Sequence, residues 1–351
     1  KIRIEQRDIT VEGLVFDWRF CGSDGIRIYN DRVALRDCEL RNTGGSGTPP
    51  GDALELNGCD RPLIEGCYIH HCLTGRPGVQ EDAHGITGYP TNAVIRNTEV
   101  AYITGDAIQF SPSRRPWGPV LVEGCDLLTG PLPPGLPAGT DWEVGDIPGE
   151  NGLDTKQRED NPRSRIVLRD CRVHGFRGVL SMRGSNAAIN AKDHVEVLLD
   201  RCTVYDNDWG FRLRGPGSYS SSGSYDTLTN CVMYDNGKAV RYEDDIRNLH
   251  IYNCTFGRND AFFQSAGGHG AGLEVMNCLF FGGSKPEEAA DSSNLATMGG
   301  FVNPGKHDYR LTADSPAIDS GVATEGVTAD RDGAKRPQGP ACDVGAYERV
   351  P

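Results

Sequence analysis

The chain has 351 residues, 37% hydrophobic and 8% aromatic, enough apolar content for a packed protein and too much for a disordered one. Its net charge of −13 argues against generic nucleic-acid binding, which needs a basic surface. No apolar run approaches the roughly 18 residues that a membrane span requires, and 45 glycines point to many tight turns.

One phrase recurs along the chain: a short apolar strand, a polar pair, then Cys and a second apolar alternation. It runs through Val33–Cys38, Leu63–Cys67, Val120–Cys125 and Ile166–Cys171, then Val197–Cys202, Leu228–Cys231, Leu249–Cys254 and Leu273–Cys278. Val94–Thr98 repeats it with Thr in the Cys place. A second phrase precedes each of these: a small residue, an apolar one, then alternation. It reads Gly25–Tyr29, Ala53–Asn57, Gly85–Tyr89, Ala107–Ser111 and Gly152–Lys156, then Val179–Arg183, Gly210–Arg214, Ala239–Glu243 and Ala261–Ser265. Period-two alternation makes each a half-buried strand. A repeat mostly 23 to 31 residues long fits one coil of three short strands and their turns.

The pattern predicts an all-β chain: a single-stranded right-handed parallel β-helix of about ten coils over residues 1–282, with a loop insertion at 126–150. The Cys column reads as an inward ladder of small apolar groups, since Cys-x-x-Cys metal spacing is absent. Cys21, Cys59, Cys72 and Cys342 stand outside it, and a disulfide among them is open. The period is lost over 283–351, which is predicted to be a cap closing the end of the solenoid.

In the second phrase the third and fifth positions point outward. The fifth then holds Lys156, Arg183 and Arg214 on three consecutive coils, beside Asp154, Ser181 and Arg212 at the third. Cations spaced by about 4.8 Å repel one another, so the column points to an anionic ligand. The insertion enters at the strand of Asp154 and Lys156, and its Trp142, like Trp117, is a candidate for stacking on sugar faces. Just before the small position, Asp52, His84, Asp106 and Asn151 form another column, with Asp82 nearby. It is either an oxygen-rich calcium site or a turn ladder, with His84 a candidate base. Tyr242 is a candidate substrate contact or proton donor.

The segments Leu311–Asp319, Asp330–Pro337 and Cys342–Glu348 resemble the terminal part of bacterial exported parallel β-helix repeat proteins. The chain as a whole resembles polysaccharide lyases of the parallel β-helix type, nearest to the family of chondroitinase B and the alginate lyases. That resemblance implies an extracellular or periplasmic enzyme that cleaves an acidic, uronate-containing polysaccharide by β-elimination. Lys156 would be the base, its pKa lowered by neighbouring cations. Arg183 would be the neutraliser or acid, with Asp154 beside them, while Arg212, Arg214, His84, Trp142 and Tyr242 bind substrate. It also implies Ca²⁺ on Asp82, Asp106 and Asp154. A monomer without membrane insertion is expected, and Lys1 opens the sequence without an apolar export signal. The alternatives are a glycoside hydrolase using Asp82, Asp106 and Asp154, a uronate epimerase, and a non-catalytic glycan-binding module.

Overall fold

The computed structural model describes residues 1–22, 24–79, 82–111, 115–180, 186–215, 217, 219–221, 223–243, 248–265 and 272–350. Three parallel sheets run its length, each taking one strand per coil. The first sheet runs from Ile2–Ile4 to Ala261–Ser265, and the second from Thr10–Glu12 to Leu273–Met276. The third runs from Val15–Asp17 to Leu295–Thr297. Parallel crossovers of this kind wind right-handed, and the chain is a right-handed β-helix. None of its helices is long and apolar enough to cross a membrane, among the described residues.

The corner between the second and third sheets explains the polar pair before each Cys. The residue just before the Cys column is left-handed on every rung: Asp37, Gly66, Asn97, Gly124, Asp170, Arg201, Asn230, Asn253 and Asn277 have φ between 49° and 65°. Gly, Asn and Asp tolerate that conformation, which costs other residues about 1–2 kcal/mol. Arg201 is the exception, and its guanidinium is held by two 2.8 Å bonds to Asp170, the corner residue one rung below. The next residue then turns inward. Cys38, Cys67, Cys125, Cys171, Cys202, Cys231, Cys254 and Cys278 are all buried and free, with Thr98 filling the missing place. Cys21, Cys59, Cys72 and Cys342 are also free thiols.

Inside, like residues stack rung on rung: Ile26, Leu54, Ile86, Ile108, Leu153, Ile189 and Phe211 follow one another through the first sheet, each at most 1% exposed. Each such side chain contributes about 1.5–3 kcal/mol by leaving water. Truncating one, as in Ile108→Ala, would cost about 2–5 kcal/mol because neighbouring rungs cannot close the gap.

The terminal segment does more than close an end. The turn at Glu287–Ala289 brings Ala289 against the last core rung, and Leu295–Thr297 still pairs with Leu279–Phe281, past residue 282. The chain then folds back along the outside of the third sheet. There Phe301, Tyr309, Leu311, Ala317, Val344 and Ala346 cover Val232, Leu279 and Phe281. Arg336 and Glu348 form a 2.8 Å ion pair with side chains 1% and 0% exposed. Arg331 reaches the Cys202 carbonyl, and Asn277 the Val322 carbonyl. The motifs of this segment therefore strap several rungs together.

Candidate functional site

The outward face of the first sheet gathers the chemistry. Its third-position column, rung by rung, is Arg3, Arg27, Glu55, Thr87, Gln109, Asp154, Asn190, Arg212, Arg241 and Gln264. Asp52, His84, Asp106 and Asn151 also stack as read from the sequence. Backbone bonds join their rungs: Ala53 N to the His84 carbonyl, Gly85 N to Asp106 and Ala107 N to Asn151. A Gly or Ala and an inward apolar residue separate the two columns, and their longer side chains meet over the small residue.

They form one connected network. His84 Nδ1 lies 2.9 Å from Asp52 Oδ1, and its Nε2 meets the Gln109 side-chain amide, with Asp106 Oδ2 at 3.7 Å. Gln109 Nε2 donates to Asp106 Oδ2 at 2.6 Å, while Gln109 Oε1 accepts from Lys156 Nζ at 2.6 Å. Asn151 Nδ2 donates to Asp106 Oδ1 at 2.8 Å. Asp154 takes Lys156 Nζ at 3.0 Å, Lys192 Nζ at 2.8 Å and Asn190 Nδ2 at 3.1 Å. Asp106, Asn151, Asp154 and Asn190 are at most 3% exposed, so these outward side chains form the floor of a recessed groove.

The electrostatics follow from that burial. Desolvation pushes the Asp106 carboxyl up, and the charge of Asp154 pushes it further. Burial works against a charged His84, but its bond to Asp52 and the charges of Asp52, Asp106 and Asp82 outweigh it and raise its pKa. The amide contact at Nε2, by contrast, fits the neutral ring with its proton on Nδ1. The imidazole thus sits between two opposed influences.

Several expectations change here. Lys156 has its pKa raised: burial opposes the charge, but Asp154 and Asp106 overcome it. The expected lowering by cations is reversed because the charges that act on it are carboxylates. The rung above Leu153–Thr155 is Ala187–Ala191, not Val179–Arg183, with Leu153 opposite Ile189 and Asp154 opposite Asn190. Arg183 lies outside the described residues, and the rung it was to occupy belongs to Asn190 and Lys192. Tyr242, opposite Leu213, points inward, is 4% exposed and bonds Glu288 at 2.7 Å. Trp142 is 6% exposed, packs with Phe20, Leu73 and Leu132, and donates to the Thr74 carbonyl. Trp117 is buried against Phe110 and donates to the Lys156 carbonyl. Both tryptophans anchor loops, so neither offers a face to a sugar.

The calcium expectation also meets an obstacle. Among the described residues no three His, Cys, Asp or Glu side chains converge as a metal site. Asp154 is occupied by two ammonium groups and Asp106 by two amides, so a divalent cation would face Lys156 and Lys192 at close range. These residues do not fit the ion.

Toward the C-terminal coils the face becomes cationic. Arg212 stands directly opposite Arg241, and both guanidiniums lie over the Trp209 ring at 4.8 and 4.6 Å. Glu243 is shared by Arg212 at 2.8 Å, Arg214 at 3.4 Å and Arg241 at 3.8 Å. Burial pulls the Arg212 pKa down, and Arg214 and Arg241 add to that pull against Glu243. Lys192, the residue that sequence reading missed, carries the signal of its rung: Ala188-Ile189-Asn190-Ala191-Lys192 repeats the small–apolar–alternating phrase.

Known structures place the fold. The pectate lyase Pel9A superposes with a TM-score of 0.62 at 13% identity, over 97% of this chain and 88% of that one. The A-module of the Azotobacter vinelandii mannuronan C-5 epimerase AlgE4 gives 0.49 at 11% identity, over 77% and 64%. At such identities the likeness is one of fold. No curated protein sequence matches the chain. Residues 2–129 and 149–297 match the family described as the right-handed β-helix region, leaving out most of the insertion and the segment after 297. The chain belongs to that right-handed β-helix family.

Proposed function

We propose that the chain is a carbohydrate-active enzyme that cleaves a uronate-containing polysaccharide by β-elimination. The observation that carries the reading is the accumulation of like charge on one face of a strongly acidic protein. Lys156 and Lys192 share one carboxylate, and Arg212, Arg214 and Arg241 share another. Like charges directly opposite on neighbouring strands are destabilising, and an anionic polymer along the groove would relieve them.

The chemistry assigns roles to these side chains. Removing the proton from the carbon beside a uronate carboxylate builds negative charge on that carboxylate. Lys156 and Lys192, both within 3.0 Å of Asp154, would stabilise that charge. His84, held by Asp52 through Nδ1, would take the proton at Nε2 once Gln109 yields to substrate. The C4–O bond then breaks, C4=C5 forms, the leaving oxygen takes up a proton from solvent water, and His84 returns its proton to solvent. Export to the medium where such polymers occur belongs to the same proposal.

A second reading rests on one observation: Asp106 and Asp154 occupy neighbouring rungs in opposed environments. Asp106 is buried, with its pKa raised, while Asp154 is paired with two ammonium groups. A protonated carboxyl at Asp106 beside the Asp154 side chain would suit hydrolysis. Incubation with uronate polymers decides between them. β-Elimination gives new ultraviolet absorbance from the unsaturated product. New reducing ends without that absorbance would establish hydrolysis, and altered uronate stereochemistry without cleavage would establish epimerisation.

A further inference from the structure

The two halves of the groove differ in charge. From the Asp154 rung to the Arg241 rung, Lys156 and Lys192 pair with Asp154, and Arg212, Arg214 and Arg241 share Glu243. Arg241 Nε is buried there without a hydrogen-bond partner among the described residues. It lies 3.8 Å from Glu243 Oε1, and the guanidinium is shared between that carboxylate and the Trp209 ring.

From the Asn57 rung to the Ser111 rung the same two columns are uncharged beyond Glu55. Asn57, Thr87, Tyr89, Gln109 and Ser111 follow one another. The Tyr89 hydroxyl donates to Asn57 Oδ1, and Tyr89 keeps part of its ring exposed. The charges flanking this half cancel: Arg27 pairs with Glu55 and, at 2.9 Å, with Asp24, which also takes Lys1 at 3.0 Å. Asp52 and Asp82, on the rungs of Asn57 and Tyr89, would repel a carboxylate there, their fields reaching His84.

We infer that the groove reads its polymer asymmetrically, with carboxylated sugars over the rungs from Asp154 to Arg241 and uncharged sugars over those from Asn57 to Ser111. The inference rests on the uronate-cleaving reading and names the substrate more narrowly: a polymer with acidic units on one side of the reacting residue and neutral or esterified units on the other. Hydroxyl and amide side chains with a partly exposed tyrosine ring suit neutral sugars. Two guanidiniums around one tryptophan suit carboxylates, and their planar donor forks match carboxylate geometry.

The test uses a partially methyl-esterified uronan, in which esters neutralise individual residues. Product oligosaccharides sequenced by mass spectrometry should carry methyl esters on one side of the cut bonds and free acids on the other. Esters spread equally over both sides would overturn the inference while leaving the cleavage reading intact. Absence of any binding to free-acid oligosaccharides would overturn both. Binding to variants supplies a second readout. Arg212→Gln should weaken the free-acid oligosaccharide by about tenfold and the esterified one much less, as expected for loss of a charge-assisted bond. Tyr89→Ala should weaken both alike. An equal effect of Arg212→Gln on the two ligands would refute the charged half.

Discussion

On the outward face of the second sheet, charges of opposite sign alternate rung by rung. Arg36, Glu65, Arg96, Glu123, Arg169 and Asp200 stand directly opposite one another in that order. Arg36 bonds Glu65 at 2.7 Å, Arg96 bonds Glu65 at 2.5 Å, and Arg169 reaches Glu123 at 3.5 Å and Asp200 at 3.3 Å. The first sheet has the same spacing and the same choice of residues, yet it sets Arg212 opposite Arg241 and brings Lys156 and Lys192 to one carboxylate. The second face shows what cross-strand pairing looks like when stability governs it. The first departs from that pattern over several consecutive rungs, which is where ligand binding competes with stability.

The sharpest way to separate the two faces is to remove one cation from each. Lys192→Met leaves Asp154 paired with Lys156, so the fold should persist, with an unchanged thermal midpoint. Turnover of a uronan should fall by at least about a hundredfold, the usual cost of losing one group aimed at developing charge. Arg96→Met on the second sheet should leave turnover as it is. If Lys192→Met retains full activity, the neutralising role assigned to it is lost.

A reversal on the second sheet should be smaller and should act on stability alone. Glu65→Lys would place a cation between Arg36 and Arg96, replacing two favourable pairs by two repulsive ones. A loss of about 1–2 kcal/mol is expected, read from the denaturant midpoint with the slope unchanged. An unchanged midpoint would mean that the alternating ladder contributes nothing, and the contrast between the faces would lose its reference.

How much of this was legible beforehand follows from what repeats and what does not. The Cys column and its left-handed corners are fixed by residue type, because only Gly, Asn or Asp suits the turn readily and a small apolar group suits the interior. They could be read from Val33–Cys38 alone and then counted. The Asp52, His84, Asp106 and Asn151 column was legible because each member directly precedes the small–apolar pair of its strand phrase. The rung after Lys156 was not, because two phrases compete there: Val179–Arg183 has a stronger apolar signal than Ala188–Lys192. Ala188 and Ala191 are small, yet both are fully buried, since the neighbouring rungs supply the bulk. The orientation of Trp142 was equally hidden, because its burial depends on Phe20 and Leu73 from distant coils. The sign of the Lys156 shift depended on where its carboxylates lie in space.

The pH response distinguishes the faces next. His84 has a raised pKa in the folded chain, so its protonation contributes stability that is fully present below its unfolded pKa and is lost as pH rises through the folded value. Asp106, also raised, acts with the same sign: its folded form binds the proton more tightly, and stability falls as pH rises through its window. On the second-sheet side Asp170 is lowered, chiefly by its bond to Arg201, so its contribution is present above its unfolded pKa and is lost on acidification. Replacing His84 by Gln should flatten the stability decline on the alkaline side of the histidine range and leave the acid limb alone. An unaltered pH profile in that variant would show that the carboxylates around His84 do not favour its charged form.

The smallest expected change in stability comes from giving the first sheet the pattern of the second. Arg241→Glu sets an anion opposite Arg212, as Glu65 stands opposite Arg96. The relieved repulsion and the new pair should outweigh the lost contacts with Trp209 and, at 3.8 Å, with Glu243, leaving a gain of about 0.5 kcal/mol. Affinity for uronate oligosaccharides should fall at the same time, because the reversed charge repels their carboxylates. The two readouts must move in opposite directions. A variant that is both less stable and equally able to bind would show that Arg241 is held by its packing on Trp209, and that the like-charged column is no adaptation to an anionic chain.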